Sequence, residues 1–387
     1  MARSNPIPSA CDRADVRTRA GQEVVRGDLE SICSRLTAEF AIMAGSQLLV
    51  TGGAGFLGFY FTSAVHYYNQ QVMQSERVRL TVFDNYVRGI PRWVTDLKDT
   101  ADLRFVEHDL ARPLPADMDD FEYVIHAASI ASPKFYRLRP IETMDANVNG
   151  LRALLDRFRD QKERGNPVGG FLFMSSSEIY GDPLPDSIPT PETYRGYVSC
   201  TGPRACYDEA KRYGETLCVN FAHEYGLPIR AARPFNNYGP GLKINDERVL
   251  PDFARDILAG RDIVLLSDGA PTRTFCYVAD AIVGYYKVLV SGGDGEAYNI
   301  GAETPEISMA SVATKLAKIG EALVGYGGGV VHGKAQDQAY LVDNPNRRCP
   351  DISKARAQLG YEPVVSLDEG LRRMLTWYVA ENQAGEG

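Results

Sequence analysis

The chain has 387 residues, 44% of them hydrophobic and 24% charged, with a formal net charge of -8. That length buries a core without disulfide staples, and the apolar share is that of a globular protein. The acidic balance argues against a nucleic-acid surface, and no apolar run reaches the roughly 20 residues of a membrane helix.

From Val25 the apolar positions Val25, Leu29, Ile32, Leu36 and Phe40 recur at helical spacing. Residues 1–45 therefore read as an N-terminal extension, helical from about residue 25. Met43 offers an alternative start, in which case residues 1–42 would lie outside the fold. From Gln47 onward, short apolar runs alternate with helical patterns: "QLLVTGG", "RLTVFDN", "LRFVEHD", "EYVIHAA", "GFLFMSSSE" and "LPIRAARPFN". Strands alternating with helices predict an α/β protein whose residues 46–240 are mainly a Rossmann-type, doubly wound parallel sheet. Beyond about residue 240 the elements are short and mixed. Residues 241–387 are expected to be mainly a smaller C-terminal α/β substrate lobe, with some segments returning to the main domain. "GYGGGVVHGK" predicts a flexible stretch, and "SLDEGLRRMLTWYVAEN" a capped terminal helix.

The seven cysteines lack CxxC spacing and framework density. Reduced thiols in a cytoplasmic protein without a metal site are the expectation. The polar, proline-containing start "MARSNPIPSACDRAD" has no signal-peptide core.

"LLVTGGAGFLG" sets Gly52, Gly55 and Gly58 between an apolar strand and a helical pattern. Such glycines allow a tight turn and close backbone approach to a pyrophosphate at a helix N-terminus. Asp84, at the end of the next strand, suits an adenosine ribose and repels a 2′-phosphate, which favours NAD over NADP. Beside Asn85 it also suits a plain turn cap. Tyr207 and Lys211, four apart in "GPRACYDEAKRYGETLC", fall on one helix face, where positive charge would bring a phenol toward use as a base. "MSSSEIYG" ends the strand before that helix, so Ser176, Ser177 and Glu178 converge on the same crevice. Taken singly, each serine fits a cap or turn equally well, and Glu178 fits a solvated loop.

"TGGAGFLG", "SSSEIYGDP", "GPRACYDEAKR", "RPFNNYGPG", "TRTFCYVAD" and "RRCPDISKARAQLGYEPVVSLDEGL", in this order, resemble the extended short-chain dehydrogenase/reductases of the nucleotide-sugar class. The resemblance is closest to UDP-glucuronate decarboxylases and covers roughly residues 46–380. It implies bound NAD used catalytically, a UDP-sugar under the second lobe, and a homodimer through helices that include 203–225. By position, Gly52, Gly55, Phe56, Leu57, Asp84, Asn85, Asp109, Leu110, Ala127, Tyr207 and Lys211 would contact NAD. Asn236, Arg248, Arg273 and Arg348 would hold the diphosphate region, although each arginine taken alone also suits a surface ion pair.

The resemblance further implies that Tyr207 takes the proton of the sugar 4-hydroxyl and Ser176 donates a hydrogen bond to its oxygen. Ser177 and Glu178 would frame carbon 5 and its carboxylate, and Arg273 would stabilise or protonate the departing charge. Related 4,6-dehydratases usually carry Thr-Asp-Glu at positions 176–178; a serine at 177 is no comparable acid, which favours decarboxylation. Two departures from the decarboxylase pattern stand out. Ser176 replaces a threonine, and Asp145 in "TMDANVNG" replaces a lysine, which would alter charge near the sugar pocket unless Asp145 faces solvent instead. A UDP-sugar 4-epimerase or dehydratase is the alternative, and a non-catalytic NAD-binding regulatory protein the remote one.

Overall fold

The computed structural model describes residues 10–333 and 345–384. Strands form where the apolar runs predict them: β1 (Gln47–Thr51), β2 (Arg79–Asp84), β3 (Leu103–Glu107), β4 (Tyr123–His126), β5 (Gly170–Met174) and β6 (Ile229–Pro234). All of β4 and β5 is buried, because helices cover both faces of a parallel sheet. A further strand, β7 (Ala297–Ile300), completes a seven-stranded parallel sheet of order β7-β6-β5-β4-β1-β2-β3. The chain winds outward from β1 to β3, then restarts at β4 on the other side. The crevice at the carboxyl ends of β1 and β4 is thus the switch point where such sheets bind ligands.

The N-terminal helix begins at Ala10, well before Val25, and runs to Arg35, followed by a second helix, Thr37–Met43. "ACDRADVRTRAGQEV" carries little apolar periodicity, so spacing alone could not reveal its first turns. Ile32, Leu36, Phe40 and Met43 are at most 1% exposed. Each such burial contributes roughly 1.5–3 kcal/mol. Phe40 stacks on Tyr68 at 4.6 Å. Asp28 is fully buried and accepts hydrogen bonds from Tyr60 (2.7 Å), Tyr277 (2.6 Å) and Arg373 (2.9 Å). The helix also crosses the terminal helix Leu367–Ala384, where a Cβ on Gly21 would lie 2.5 Å from that of Ala380. A start at Met43 would remove part of the core, so the extension is structure. Residues 1–9 lie outside the described residues.

The second lobe is built from small sheets. In one, Thr272–Arg273 lies between Ile307–Ser308 and Arg347–Arg348, with Arg273 and Arg348 as direct neighbours in register. In another, Val330–His332 pairs with Ile263–Leu265, so part of the stretch expected to be flexible is a strand; its last residue, Lys334, lies outside the described residues. The helix Val278–Ser291, within the 241–387 segment, packs beneath the main sheet, and β7 follows it.

Candidate active site

One cleft of about 1830 Å³ runs along the carboxyl ends of the strands and under the second lobe. Every site residue expected from the sequence lines it, from Gly52 to Arg348. At the glycine turn, Gly52 has φ +69° and donates to Phe83 O at 2.7 Å. A Cβ there would lie 2.6 Å from Ala128 N and Cα, so only glycine lets β1 and β4 close on the crevice. The helix Phe56–Asn69 starts directly after Gly55 and has no acid in its first turn. Its free amides suit an anion.

Asp84 accepts from Ala54 N at 2.9 Å and from Tyr86 N at 2.8 Å. Burial raises its carboxyl, and these two amides and Lys243 pull against that rise. A carboxylate has about four acceptor sites, so two remain for ribose hydroxyls. Asn85 accepts from Val87 N at 3.2 Å, and Asp109 from Ala111 N at 3.0 Å. Leu110 is buried, and Ala127 N donates to Thr51 O at 3.1 Å. The chain therefore fits a dinucleotide: a glycine cradle, bare helix amides and a fixed acid follow one another along a single groove.

At the other end, the helix Ala205–Tyr225 presents Tyr207 and Lys211 beneath the cleft. Lys211 Nζ donates to Met174 O at 2.7 Å and sits 5.7 Å from the Tyr207 ring centroid. β5 ends there, and Ser177–Tyr180 forms a short 3-10 turn in which Ser176 Oγ accepts from Glu178 N at 3.2 Å. Ser176 also lies beside the Tyr207 phenol and opposes the effect of its burial. Burial pushes that phenol up to about 12, outweighing Ser176. Burial likewise draws Lys211 down to about 7. The expectation for Tyr207 joins Lys211 to the charge of an oxidised nicotinamide, and in the polypeptide by itself burial of the phenol is the larger influence.

Glu178 is not a solvated loop carboxylate. Arg204 Nη2 and Arg348 Nη1 donate to it, and Arg348 Nη2 reaches Oε2 at 2.6 Å. Burial alone would raise its pKa, but Arg204 and Arg348 bring it down to about 2. Arg273 donates to Thr272 O (2.7 Å) and Asn346 O (3.1 Å). Burial first, then the neighbouring Arg348, lowers its guanidinium to about 9. Asn236 donates to Thr274 O at 3.0 Å, and Arg248 pairs with Asp246 at 2.9 Å.

Sequence reasoning missed Arg204 and Tyr136. Tyr136 stacks on Tyr207 at 5.2 Å and 13°, and the Arg204 guanidinium lies 5.9 Å from the Tyr136 ring centroid. Arg204 stands three residues before Tyr207 in the quoted motif, but its partner Glu178 is in another segment. Of the two places open to Asp145, the sequence alternative away from the pocket is the one the structure takes. It accepts from Asn149 at 3.0 Å and does not line the cleft, whereas Glu142 and Ala146, one turn apart, do. Among the described residues no cluster of His, Cys, Asp or Glu is placed to hold a metal ion, and no helix is long and apolar enough to cross a membrane.

Residues 48–301 match the profile of the NAD dependent epimerase/dehydratase family. UDP-glucuronic acid decarboxylase 3 of Arabidopsis thaliana is 34% identical over 332 residues, covering 85% of this chain and 87% of that protein. UDP-glucuronic acid decarboxylase 1 of Xenopus tropicalis is 35% identical over 336 residues, covering 87% and 72%. Among solved structures, UDP-glucose 4-epimerase of Thermotoga maritima superposes with a TM-score of 0.73 at 25% identity, covering 87% of this chain and 99% of that one. dTDP-glucose 4,6-dehydratase of Streptomyces venezuelae, solved with NAD bound, gives 0.73 at 26% identity, covering 87% and 98%. The match spans the glycine turn, the Tyr207–Lys211 pair and the last strand of the sheet, and the chain belongs to the NAD dependent epimerase/dehydratase family of extended short-chain dehydrogenase/reductases.

Proposed function

We propose that the protein decarboxylates UDP-glucuronate through a 4-keto sugar, giving UDP-xylose, the UDP-4-keto-pentose or both. The observation that carries this reading is the make-up of the sugar end. Ser177 and the buried Arg273, whose guanidinium is drawn down to about 9, stand there in place of an acid able to expel a 6-hydroxyl. The decarboxylase relatives support the same reading.

Gly52, Gly55, Phe56, Leu57, Asp84, Asn85, Asp109, Leu110, Ala127, Tyr207 and Lys211 would hold NAD, which when bound supplies a reversible hydride acceptor. Ser176 donates to the 4-oxygen, and Tyr207 takes the 4-hydroxyl proton. With its phenol held near 12 by burial, Tyr207 does so only with added positive charge in the cleft. A ketone at carbon 4 is beta to the carboxylate on carbon 5, so carbon dioxide leaves as the electrons settle into an enolate. Glu178, held at about 2, stays an anion and is no proton donor to carbon 5 at neutral pH. Arg273, which lines the same cleft, would stabilise or protonate the departing charge. Asn236 and Arg248 would hold the diphosphate; Arg348 is committed to Glu178, which leaves it less free for that task.

Incubating the protein with UDP-glucuronate and following carbon dioxide and sugar by NMR tests this. A pentose product and carbon dioxide are expected. Turnover of UDP-glucose or dTDP-glucose with neither product would replace this reading by the epimerase or dehydratase one, which the fold likenesses favour.

A second copy of the chain is the proposed partner. Ile141 (65% exposed) and Leu138 lie on the helices Pro133–Leu138 and Pro140–Asp145, which pack beside Ala205–Tyr225 with Tyr213 (49% exposed). Such an apolar patch favours association. Light scattering should report a dimer for the native protein and a monomer for Ile141→Asp/Tyr213→Asp; a monomeric native protein would refute the assignment.

A further inference from the structure

Arg204 occupies the position just before the helix Ala205–Tyr225, with φ -101° and ψ -12°. Its side chain is only 8% exposed, and that of its partner Glu178 is 17% exposed. Nη2 bonds Glu178, while Nε makes only a 3.7 Å ion pair with Asp208 and has no hydrogen-bond partner. The guanidinium thus bonds the carboxylate and lies 5.9 Å from the centroid of Tyr136, the ring that stacks on Tyr207. Neither helix capping nor surface solvation accounts for burying a charge in this way. Burial costs several kcal/mol per ion unless paired.

We propose that Arg204 is a positioning residue that, with Arg348, pins Glu178 as an anion at the sugar end and screens Tyr207 from that anion. The pinning is geometric. Arg348 comes from a strand of the second lobe and Arg204 from the start of the Tyr207 helix, so two separate elements hold Glu178, both reaching Oε2. Glu178 faces Arg204, Arg348 and Arg273 as cations, and Tyr136 and Tyr207 as phenols. Tyr207 itself faces Ser176, Glu178, Arg248 and Asp208.

Without Arg204, Glu178 keeps its two hydrogen bonds from Arg348 but loses a third and a positive neighbour. Its carboxyl becomes harder to ionise. Tyr207 meanwhile meets more of Glu178's negative charge, and its phenol also becomes harder to ionise. Glu178 stays an anion near neutral pH either way, so in turnover the Tyr207 change is the one felt, and it moves the rising limb of the pH profile to the alkaline side. A residue that merely held the fold would lower activity by one factor at every pH.

The test compares wild type, Arg204→Met and Arg204→Lys. Carbon-13 NMR of glutamate carboxyl carbons in the ligand-free protein, with Glu178→Gln for assignment, follows the titration directly. The Glu178 midpoint is expected to rise by at least about one pH unit in Arg204→Met, the scale of one charge partner at this range, and to return most of the way in Arg204→Lys. In turnover of UDP-glucuronate, the Arg204→Met profile should shift alkaline by about one unit, with activity regained at high pH. An unmoved Glu178 midpoint, or a uniform loss across pH, overturns the proposal. The kinetic arm rests on the decarboxylase reading, whereas the NMR arm needs no substrate. A wild type inert toward UDP-glucuronate would therefore sink that reading alone. If Arg204→Met does not fold, Arg204→Gln, which removes the charge but keeps an N–H donor, takes its place in the NMR arm, with a rise of the Glu178 midpoint again expected and an unmoved midpoint again overturning the proposal.

Discussion

Turnover should fall at least about a hundredfold in Tyr207→Phe while NAD binding survives, as expected for loss of a proton-transferring group. The ring would stay where it is, because its stack on Tyr136 and its burial do not depend on the hydroxyl. What disappears is the hydroxyl beside Ser176, the group proposed to take the proton of the sugar 4-hydroxyl. A hundredfold loss corresponds to about 2.7 kcal/mol of barrier. Steady-state consumption of UDP-glucuronate and a separate titration with NAD report the two halves. Near-normal consumption would remove Tyr207 from the reaction, whatever the titration gave.

Replacing Asp28 by Ala should cost about 3 kcal/mol of stability, at the lower end of what breaking a buried charge pair costs. The loss takes from the hydroxyls of Tyr60 and Tyr277, both at most 1% exposed, the one carboxylate oxygen to which both donate. Arg373 is less harmed, being 27% exposed and still bonded to Glu369 at 2.7 Å. Burial raises the Asp28 carboxyl against the pull of Tyr277, Tyr60 and Arg373, so the charge is costly to keep and costlier to orphan. Asp28→Asn, which keeps an acceptor for one tyrosine, should lose less. Urea unfolding measures both. An Asp28→Ala protein within about 0.5 kcal/mol of wild type would mean that the apolar seam of Ile32, Leu36 and Phe40 holds the helix by itself.

What the sequence made legible follows the range of the interactions involved. β1 to β6 are continuous apolar runs, and a run announces itself. β7 is "AYNI", with a polar Asn299 that looks out of place until its partners are known. It is fully buried, accepting from Tyr180 at 2.7 Å and donating to Thr190 O and Asp351 O. Those partners come from three separate segments, so no local pattern reveals the strand. The reacting group divides in the same way. Tyr207 and Lys211 share a helix face, and Ser176 to Glu178 share a strand end, so spacing finds them. That Glu178 would be gripped by Arg204 and Arg348 depends on how the second lobe closes over β5, and residue type alone suggested a solvated acid. The place of Asp145 has a simpler cause. Its residue type drew notice, but the register of its helix turns Glu142 and Ala146 to the cleft instead.

The network around Asp28 also sets an order on how the chain comes together during synthesis. Asp28 emerges from the ribosome early, but its partners Tyr277 and Arg373, and the Ala380 surface against which Gly21 fits, belong to the last part made. Until then the carboxylate can remain hydrated, and its helix lacks the wall that it will finally pack on. Contacts between such distant residues form late, because the loop between them must close before they give anything back. The first helix of this protein is therefore among the last pieces to reach its final place, and the nascent Rossmann sheet must assemble beside a segment that is still waiting for its partners.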